Sequence, residues 1–291
     1  AIFCIFSGHS GPGAATYCRD RLPANVWGSP HFGRQGDAGS RTALVEAIKL
    51  TEQDWLHAQR ESTPAPSALD GSLAGVHDLT RPGSGQGSPR SRAEGSPRAR
   101  GEERTSGASV VSDEGPDTSG TAGLVFLLHR GGSSMHLAWV GSGCRAVLCR
   151  GGKVVSLTHD HCGSFGDFDE LSRRKLAGSA KPALKSEPLR PDDEFVLLGS
   201  RGTWAVLPPD EAVRIVRHQL QAYDDTRMAA EALVQAALRR KAAADVSVVV
   251  VRLFPRRGSP KEAAASLPHA ANVSFVRMPT SHNFVRVVGG F

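Results

Sequence analysis

Gly8-His9-Ser10-Gly11 sets a histidine and a serine side by side between glycines, directly after the apolar run Ile2–Phe6 and before a segment rich in small residues. A strand, a tight turn and a helix in that order can expose a serine as a nucleophile, which makes Ser10 a candidate for acyl-transfer chemistry. Pro12 counts against it, because the full turn takes glycine two residues after the serine. A second cluster is His159-Asp160-His161-Cys162, with Cys144 and Cys149 upstream. These donors could hold zinc, but their irregular spacing fits no common zinc pattern. Ser88 and Ser96 each follow a glycine and precede Pro-Arg, so phosphorylation there would place a phosphate beside arginines.

The elements that must position these groups can be read from periodicity. A strand at Ile2–Phe6 leads to a helix near Gly13–Leu22, and a second helix near Thr42–Gln59 carries Leu44, Ile48, Trp55 and Leu56 at helical spacing. Strand-like runs follow at Ala122–His129, Met135–Gly141, Arg145–Cys149 and Val154–Leu157, with Gly131-Gly132 and Gly151-Gly152 as hairpin turns. A strand at Glu194–Leu198 precedes helices near Asp210–Gln221 and Met228–Lys241, and Val246–Phe254 is the last strong strand. Hairpins followed by a helix pair predict an α+β fold with antiparallel sheets. The stretch Phe275 to Phe291 matches no pattern well enough to assign.

Between about Arg60 and Thr118 apolar periodicity gives way to Ser, Pro, Gly and Arg, with the imperfect repeat Gly87-Ser-Pro-Arg-Ser-Arg92 and Gly95-Ser-Pro-Arg-Ala-Arg100. Such a segment cannot bury enough apolar surface to offset ordering, so it is expected to be a disordered insertion. Four parts result: 1–60, an insertion at 61–118, 119–254, and a C-terminal extension at 255–291. The 35 basic and 29 acidic residues give a net charge of +6, but six arginines and three glutamates lie between Arg81 and Arg104. The excess is therefore local, and nucleic acid is not the expected partner. No apolar run is long enough to cross a bilayer, so a membrane partner is not expected either. The apolar start meets Ser7-Gly8 without a basic leader and reads as a strand, and the lack of an initiator methionine points to a piece of something longer. Five cysteines without a C-x-x-C pair predict a reducing compartment, cytoplasm or nucleus.

Two known families bear on the first motif. The turn at Ser10 resembles the nucleophile elbow of α/β-hydrolases, but the downstream hairpins do not make the parallel sheet that such a fold requires. Phe6-Ser7-Gly8-His9-Ser10-Gly11 also resembles the F-D-G-H-G-G signature of the type 2C class of metal-dependent protein phosphatases, with Ala15-Thr16-Tyr17 following as in its helix. The resemblance continues in that family's order. Thr51-Glu52-Gln53-Asp54-Trp55 is similar to T-x-x-D-F/W, Ser119-Gly120-Thr121-Ala122 to S-G-[ST]-T-A, and Leu137 to Leu148 to A-N/W-V-G-D-S-R-A-V-L. Leu157-Thr-His-Asp-His161 is similar to L-T-x-D-H, Asp193 to Leu207 to D-E-F-L-I-L-A-S-D-G-L-W-D-V-L, and Ala244 to Val250 to D-N-I-T-V-V-V. These are seven blocks in the right order.

The resemblance implies a β-sandwich flanked by helices (αββα) and two Mg²⁺ or Mn²⁺ ions held by aspartates at one end of the sheets. Those ions activate a water that attacks phosphoserine or phosphothreonine. Hard divalent cations need oxygen donors, carboxylates above all. This chain departs from the pattern at each signature position: Ser7 (with Gly8), Ser142, Arg201 and Ala244 stand where the aspartates belong, and Asp245 is displaced by one place. Ala205 replaces the aspartate of W-D, and no L-S-R-A-x-G-D block or flap is recognised before Asp192. Two divalent ions about 4 Å apart repel by roughly 4 kcal/mol in water and about 16 at an effective dielectric near 20. Serine hydroxyls cannot offset that, and Arg201 adds positive charge. His9, aligned with a general acid, has no metal-activated water to serve and is expected to be vestigial.

The sequence thus predicts an αββα sandwich lacking the flap, with no bound cofactor and no catalysis, acting as a module that binds a protein, a phosphoprotein among the candidates. The alternative is an active Mg²⁺- or Mn²⁺-dependent serine/threonine phosphatase with divergent ligands. A serine hydrolase built on Ser10 is the remaining reading.

Overall fold

The computed structural model describes residues 1–33, 36–62, 119–128, 133–161, 163, 181–253, 273–277 and 283–288. Ala1–Ser62 and Pro116–Phe291 cluster as one unit, which is the subject below. Ser88, Ser96, the expected disordered insertion beyond Ser62, the position of the flap and Cys162 all lie outside the described residues.

Among the described residues, ten strands form two five-stranded antiparallel sheets. The first contains β1 (Ile2–His9), β2 (Gly120–Leu128), β3 (Ser134–Val140), β6 (Ala183–Pro188) and β10 (Asn283–Val288), in the order β10-β1-β2-β3-β6. The second contains β4 (Arg145–Arg150), β5 (Lys153–Ser156), β7 (Asp193–Gly199), β8 (Ser247–Arg252) and β9 (Val273–Arg277), in the order β5-β4-β7-β8-β9. Helices α1 (Gly13–Gly28) and α2 (Gly36–Ser62) cover the first sheet. Helices α3 (Arg201–Val206), α4 (Pro209–Tyr223) and α5 (Thr226–Arg239) cover the second. The expected αββα sandwich is therefore present.

Strand alternation explains how one apolar run serves two layers. In β1, Phe3 and Ile5 face the centre of the sandwich, where Leu124, Phe126 and Trp139 meet Leu148, Val196 and Val249 from the other sheet. Ile2, Cys4 and Phe6 face outward onto Ala15, Cys18 and Leu22 of α1 and Leu44 and Ile48 of α2. The second sheet repeats this: Phe195, Leu197 and Val248 pack on Val213, Val216, Leu233 and Val234. Each fully buried side chain of this size contributes about 1.5–3 kcal/mol of transfer free energy.

Several elements differ from the sequence expectations. Helix α1 continues to Gly28 through Pro23, because Cys18, Leu22 and Val26 extend its buried stripe past the proline. Strand β6 is a polar edge, Ala-Leu-Lys-Ser-Glu-Pro, too weakly patterned to be read. The segment treated as a C-terminal extension at 255–291 instead supplies β9, beside β8, and β10, beside β1. Both are short strands at sheet edges, where the apolar pattern is weakest. The hairpin at Gly151-Gly152 forms as read, with φ of +54° and +78°, the signs that a type I′ turn requires.

Candidate functional site

The aspartate-equivalent positions lie on four different segments that meet at one rim of the sandwich. The first is the end of β1, where Ser7, Gly8 and His9 pair with Ala122, Thr121 and Gly120. Ser7 and Gly8 are half-buried and His9 is exposed. The chain then leaves the strand through Ser10, at φ +57°, and Gly11, at φ +133°. Ser119, from the S-G-T-A block, accepts the Ala14 N–H at 2.8 Å and so satisfies a free donor at the start of α1.

The second segment is the crossover from β3 to β4, Gly141-Ser142-Gly143. Gly141 (φ +85°) has no room for a side chain, since a Cβ would lie 2.9 Å from the Ala122 Cβ. Gly143 (φ +104°) is overlain by Arg201, whose Cβ and Nε would be 3.0 and 3.2 Å from an added Cβ. Arg201 Nη2 donates a long hydrogen bond of 3.4 Å to Ser142 Oγ. Beneath them, the Cys144 thiol is fully buried, 3.8 Å from the Ala122 carbonyl oxygen. Burial pushes this thiol up to about 12, against smaller opposing effects of the Ser7 backbone and the Arg201 charge. Ser7 pairs with Ala122, the residue that Gly141 and Cys144 also meet.

The third and fourth segments are the start of α3 and the approach to β8. Ser200 Oγ donates to the Asp245 carbonyl at 2.8 Å and accepts from the Ser247 N–H at 2.9 Å. Ser200 N–H also donates to the Ser247 carbonyl at 3.0 Å. Gly202 is wedged against the same backbone, where a Cβ would stand 2.3 Å from the Ala244 oxygen and 2.5 Å from that of Asp245. Trp204 Nε1 closes the turn on the Gly199 carbonyl at 2.9 Å. The glycine, serine and tryptophan of the block from Asp193 to Leu207 therefore hold backbone against backbone. Strand β8 begins only at Ser247, so Ala244 and Asp245 precede it.

Ser7, Ser142, Arg201 and the Ala244-Asp245 segment are thus joined through shared neighbours. Their donors do not fit a pair of hard divalent ions: two hydroxyls, one guanidinium, one methyl and one displaced carboxylate. Among the described residues no three His, Cys, Asp or Glu side chains are grouped so as to hold a metal. Asp167, Asp169 and Glu170 lie outside the described residues.

The L-T-x-D-H block is a strap between layers. Thr158 Oγ1 accepts the Ala146 N–H at 2.9 Å, the His159 carbonyl accepts Trp139 Nε1–H at 2.9 Å, and Asp160 takes two bonds from Arg145 at 3.1 and 2.7 Å. The His159 ring stands edge-on to Trp139. A cavity of about 270 Å³ lies between this strap and Trp204. These bonds account for His159 and Asp160 without zinc, and Cys144 and Cys149 are each buried in a different apolar layer. The serine-hydrolase reading fails on topology: β1 is antiparallel to both of its neighbours, so Ser10 does not follow a strand of a parallel sheet.

The two antiparallel sheets with helices on both sides match the fold of solved type 2C phosphatases. Residues 162–246 match the family model "Protein phosphatase 2C". The match includes the stretch before Asp192, in which no block was recognised from sequence. The chain is 32% identical over 183 residues to Probable protein phosphatase 2C 22 of Arabidopsis thaliana, covering 50% of this chain and 46% of that protein. It is 30% identical over 176 residues to Probable protein phosphatase 2C 47 of Oryza sativa subsp. japonica, covering 50% and 44%. Among solved structures, the serine-threonine phosphatase 2C from Toxoplasma gondii superimposes with a TM-score of 0.55 at 13% identity, over 83% of this chain and 79% of that one. A C. elegans sex determining protein superimposes with a TM-score of 0.59 at 15% identity, over 87% and 56%. This chain is similar to protein phosphatases 2C in sequence over about half its length and shares the fold of solved members of that class. It spans about half the length of the curated relatives that it matches.

Proposed function

We propose that this type 2C domain has lost metal-dependent hydrolysis and serves as a protein-binding module, with a phosphoprotein as its partner at the former substrate face. The observation that carries this reading is the position of Arg201. Its side chain lies across Gly143 and reaches Ser142, a permanent cation among residues aligned with metal-binding aspartates. A guanidinium there opposes divalent ions, and hydroxyls cannot balance their charge. The relatives named above are phosphatases in their titles, and phosphoprotein recognition is carried over from that class. A cytoplasmic or nuclear location is proposed from the cysteines, since Cys4, Cys18, Cys144 and Cys149 are free thiols.

The test is turnover of phosphoserine and phosphothreonine peptides and of an aryl phosphate in millimolar Mn²⁺ and Mg²⁺. No turnover above the metal-only background is expected, and metal-dependent turnover that survives repurification sinks the reading. A second reading, an active phosphatase with divergent ligands, draws on one observation: the family match begins at residue 162 and so takes in Asp167, Asp169 and Glu170. The same assay separates the two.

A further inference from the structure

Arg201 is held so that its backbone cannot follow its side chain. The residue before it is tied to the approach to β8 by the three Ser200 hydrogen bonds, and the residue after it rests on the Ala244 and Asp245 carbonyls. The aliphatic arm lies over Gly143, where only a hydrogen fits beneath it. What remains is the guanidinium fork. Among the described residues it makes one bond, the 3.4 Å contact with Ser142 Oγ, at the long limit for an N–H donor. A guanidinium has five N–H donors and no acceptor, so this bond leaves most of its capacity unused.

Other arginines of the fold are used differently. Arg150, Arg217 and Arg240 each carry short bonds to carboxylates, at 2.6, 2.8 and 2.7 Å. Among the described residues no ion pair within 4.0 Å joins Arg201 to a carboxylate. Its side chain is exposed, with Ser142 beside it. A positioned arginine with its fork open and a hydroxyl nearby suits an anion of matching spread: two oxygens for the fork and a third for a hydroxyl. A phosphate monoester offers three such oxygens and close to two negative charges at neutral pH.

We propose that Arg201, with Ser142 beside it, holds the phosphate of a phosphoserine or phosphothreonine in a partner protein without a metal ion, so that the rim recognises phosphorylation without removing it. The inference rests on the reading of the domain as an inactive binding module, and it supplies the recognition chemistry. Binding without hydrolysis follows from the charges, because a guanidinium attracts phosphate but does not generate the hydroxide that a metal-bound water provides.

The experiment uses the full chain in excess EDTA, with a degenerate fluorescent phosphoserine peptide pool, its unphosphorylated counterpart, and free O-phosphoserine as competitor. The phosphorylated pool is expected to bind more tightly by about tenfold or more, the range for charge-assisted bidentate bonds. Arg201→Ala should erase that preference, Arg201→Lys should retain part of it, and Ser142→Ala should weaken binding by about tenfold, the loss of one hydrogen bond to a charged group. Each variant is checked by thermal melting, and Arg201→Gln replaces Arg201→Ala if the latter melts early. Equal affinity of Arg201→Ala and wild type for the phosphorylated pool, no preference for phosphate, or abolition by EDTA each overturns the proposal. The inactive-module reading is judged separately, by Mn²⁺-dependent turnover: hydrolysis sinks that reading, whereas loss of the Arg201 effect without hydrolysis sinks only the proposal.

Discussion

Arg150 and Asp193 form a buried ion pair, with Nε 2.6 Å from Oδ1, that fastens β4 to the start of β7. Asp193 is 1% exposed, and it also accepts the Arg190 N–H at 2.8 Å. The other arm of Arg150 reaches Glu187 in the opposite sheet at 3.0 Å. The pair is therefore a bracket between the layers. Removing one partner strands the other, so Asp193→Ala is expected to cost about 3–5 kcal/mol, whereas a double change to Met and Leu should cost much less. Urea unfolding of the three variants checks this, and equal losses in the single and double variants would count against the bracket.

Gly202→Ala tests the contact between α3 and the bend before β8. The added methyl would meet backbone carbonyls at 2.3 and 2.5 Å, atoms that no rotamer change can clear. A loss of about 1–3 kcal/mol or more is expected, as for other overpacked sites, with a lower melting temperature. An unchanged melt would mean that α3 does not sit against that bend.

Buried thiols and a buried histidine set the pH limits of stability. Cys144 is pushed up to about 12 and Cys149 to about 11, both mainly by burial. Their raised folded values mean that stability is full below the unfolded value near 8.5 and is lost as pH rises toward 11–12, by up to about 1.4 kcal/mol per pH unit and group. His136 is wholly buried between Asp37 (3.2 Å) and Ser186 (2.9 Å), and burial lowers its value despite the Asp37 charge. Its contribution is present above the unfolded value near 6.5 and is lost as pH falls. Denaturant midpoints from pH 5 to 10.5 should trace both limbs. Cys144→Ala should flatten the alkaline limb, and Asp37→Asn should steepen the acid one.

Restoring carboxylates tests the convergence of the rim. The triple variant Ser7→Asp, Arg201→Asp, Ala244→Asp should bind Mn²⁺ where the wild type does not in the millimolar range, and each single change should do little, since one carboxylate cannot balance two divalent ions. Catalysis should remain slight, because errors of about 1 Å in placement cost around a hundredfold in rate. A triple variant that folds yet shows no calorimetric Mn²⁺ binding would mean that the positions do not share one site.

The sequence carried the sandwich because its strands are strongly apolar on both faces and its blocks keep their order. It carried the rim because Gly141, Gly143 and Gly202 mark close approaches that tolerate no side chain. It did not carry β6, β9 or β10, edge strands whose pattern is too short or too polar to read. Nor did it carry the load on Ser119 and Ser200, because a serine that holds backbone across more than forty residues looks like any other serine in sequence.

The ladder between β1 and β10 joins Ile2 to Val288, nearly the whole chain apart. Contacts of that separation are the slowest to form, because the intervening chain must be ordered before its ends are rewarded for meeting. During synthesis β1 is made well before its β10 partner. Its apolar edge, carrying Ile2, Phe3 and Ile5, must wait without that neighbour, and an unpaired apolar edge invites strands of other chains. The yield of folded protein should therefore depend on chaperone supply during synthesis more steeply than its final stability would suggest.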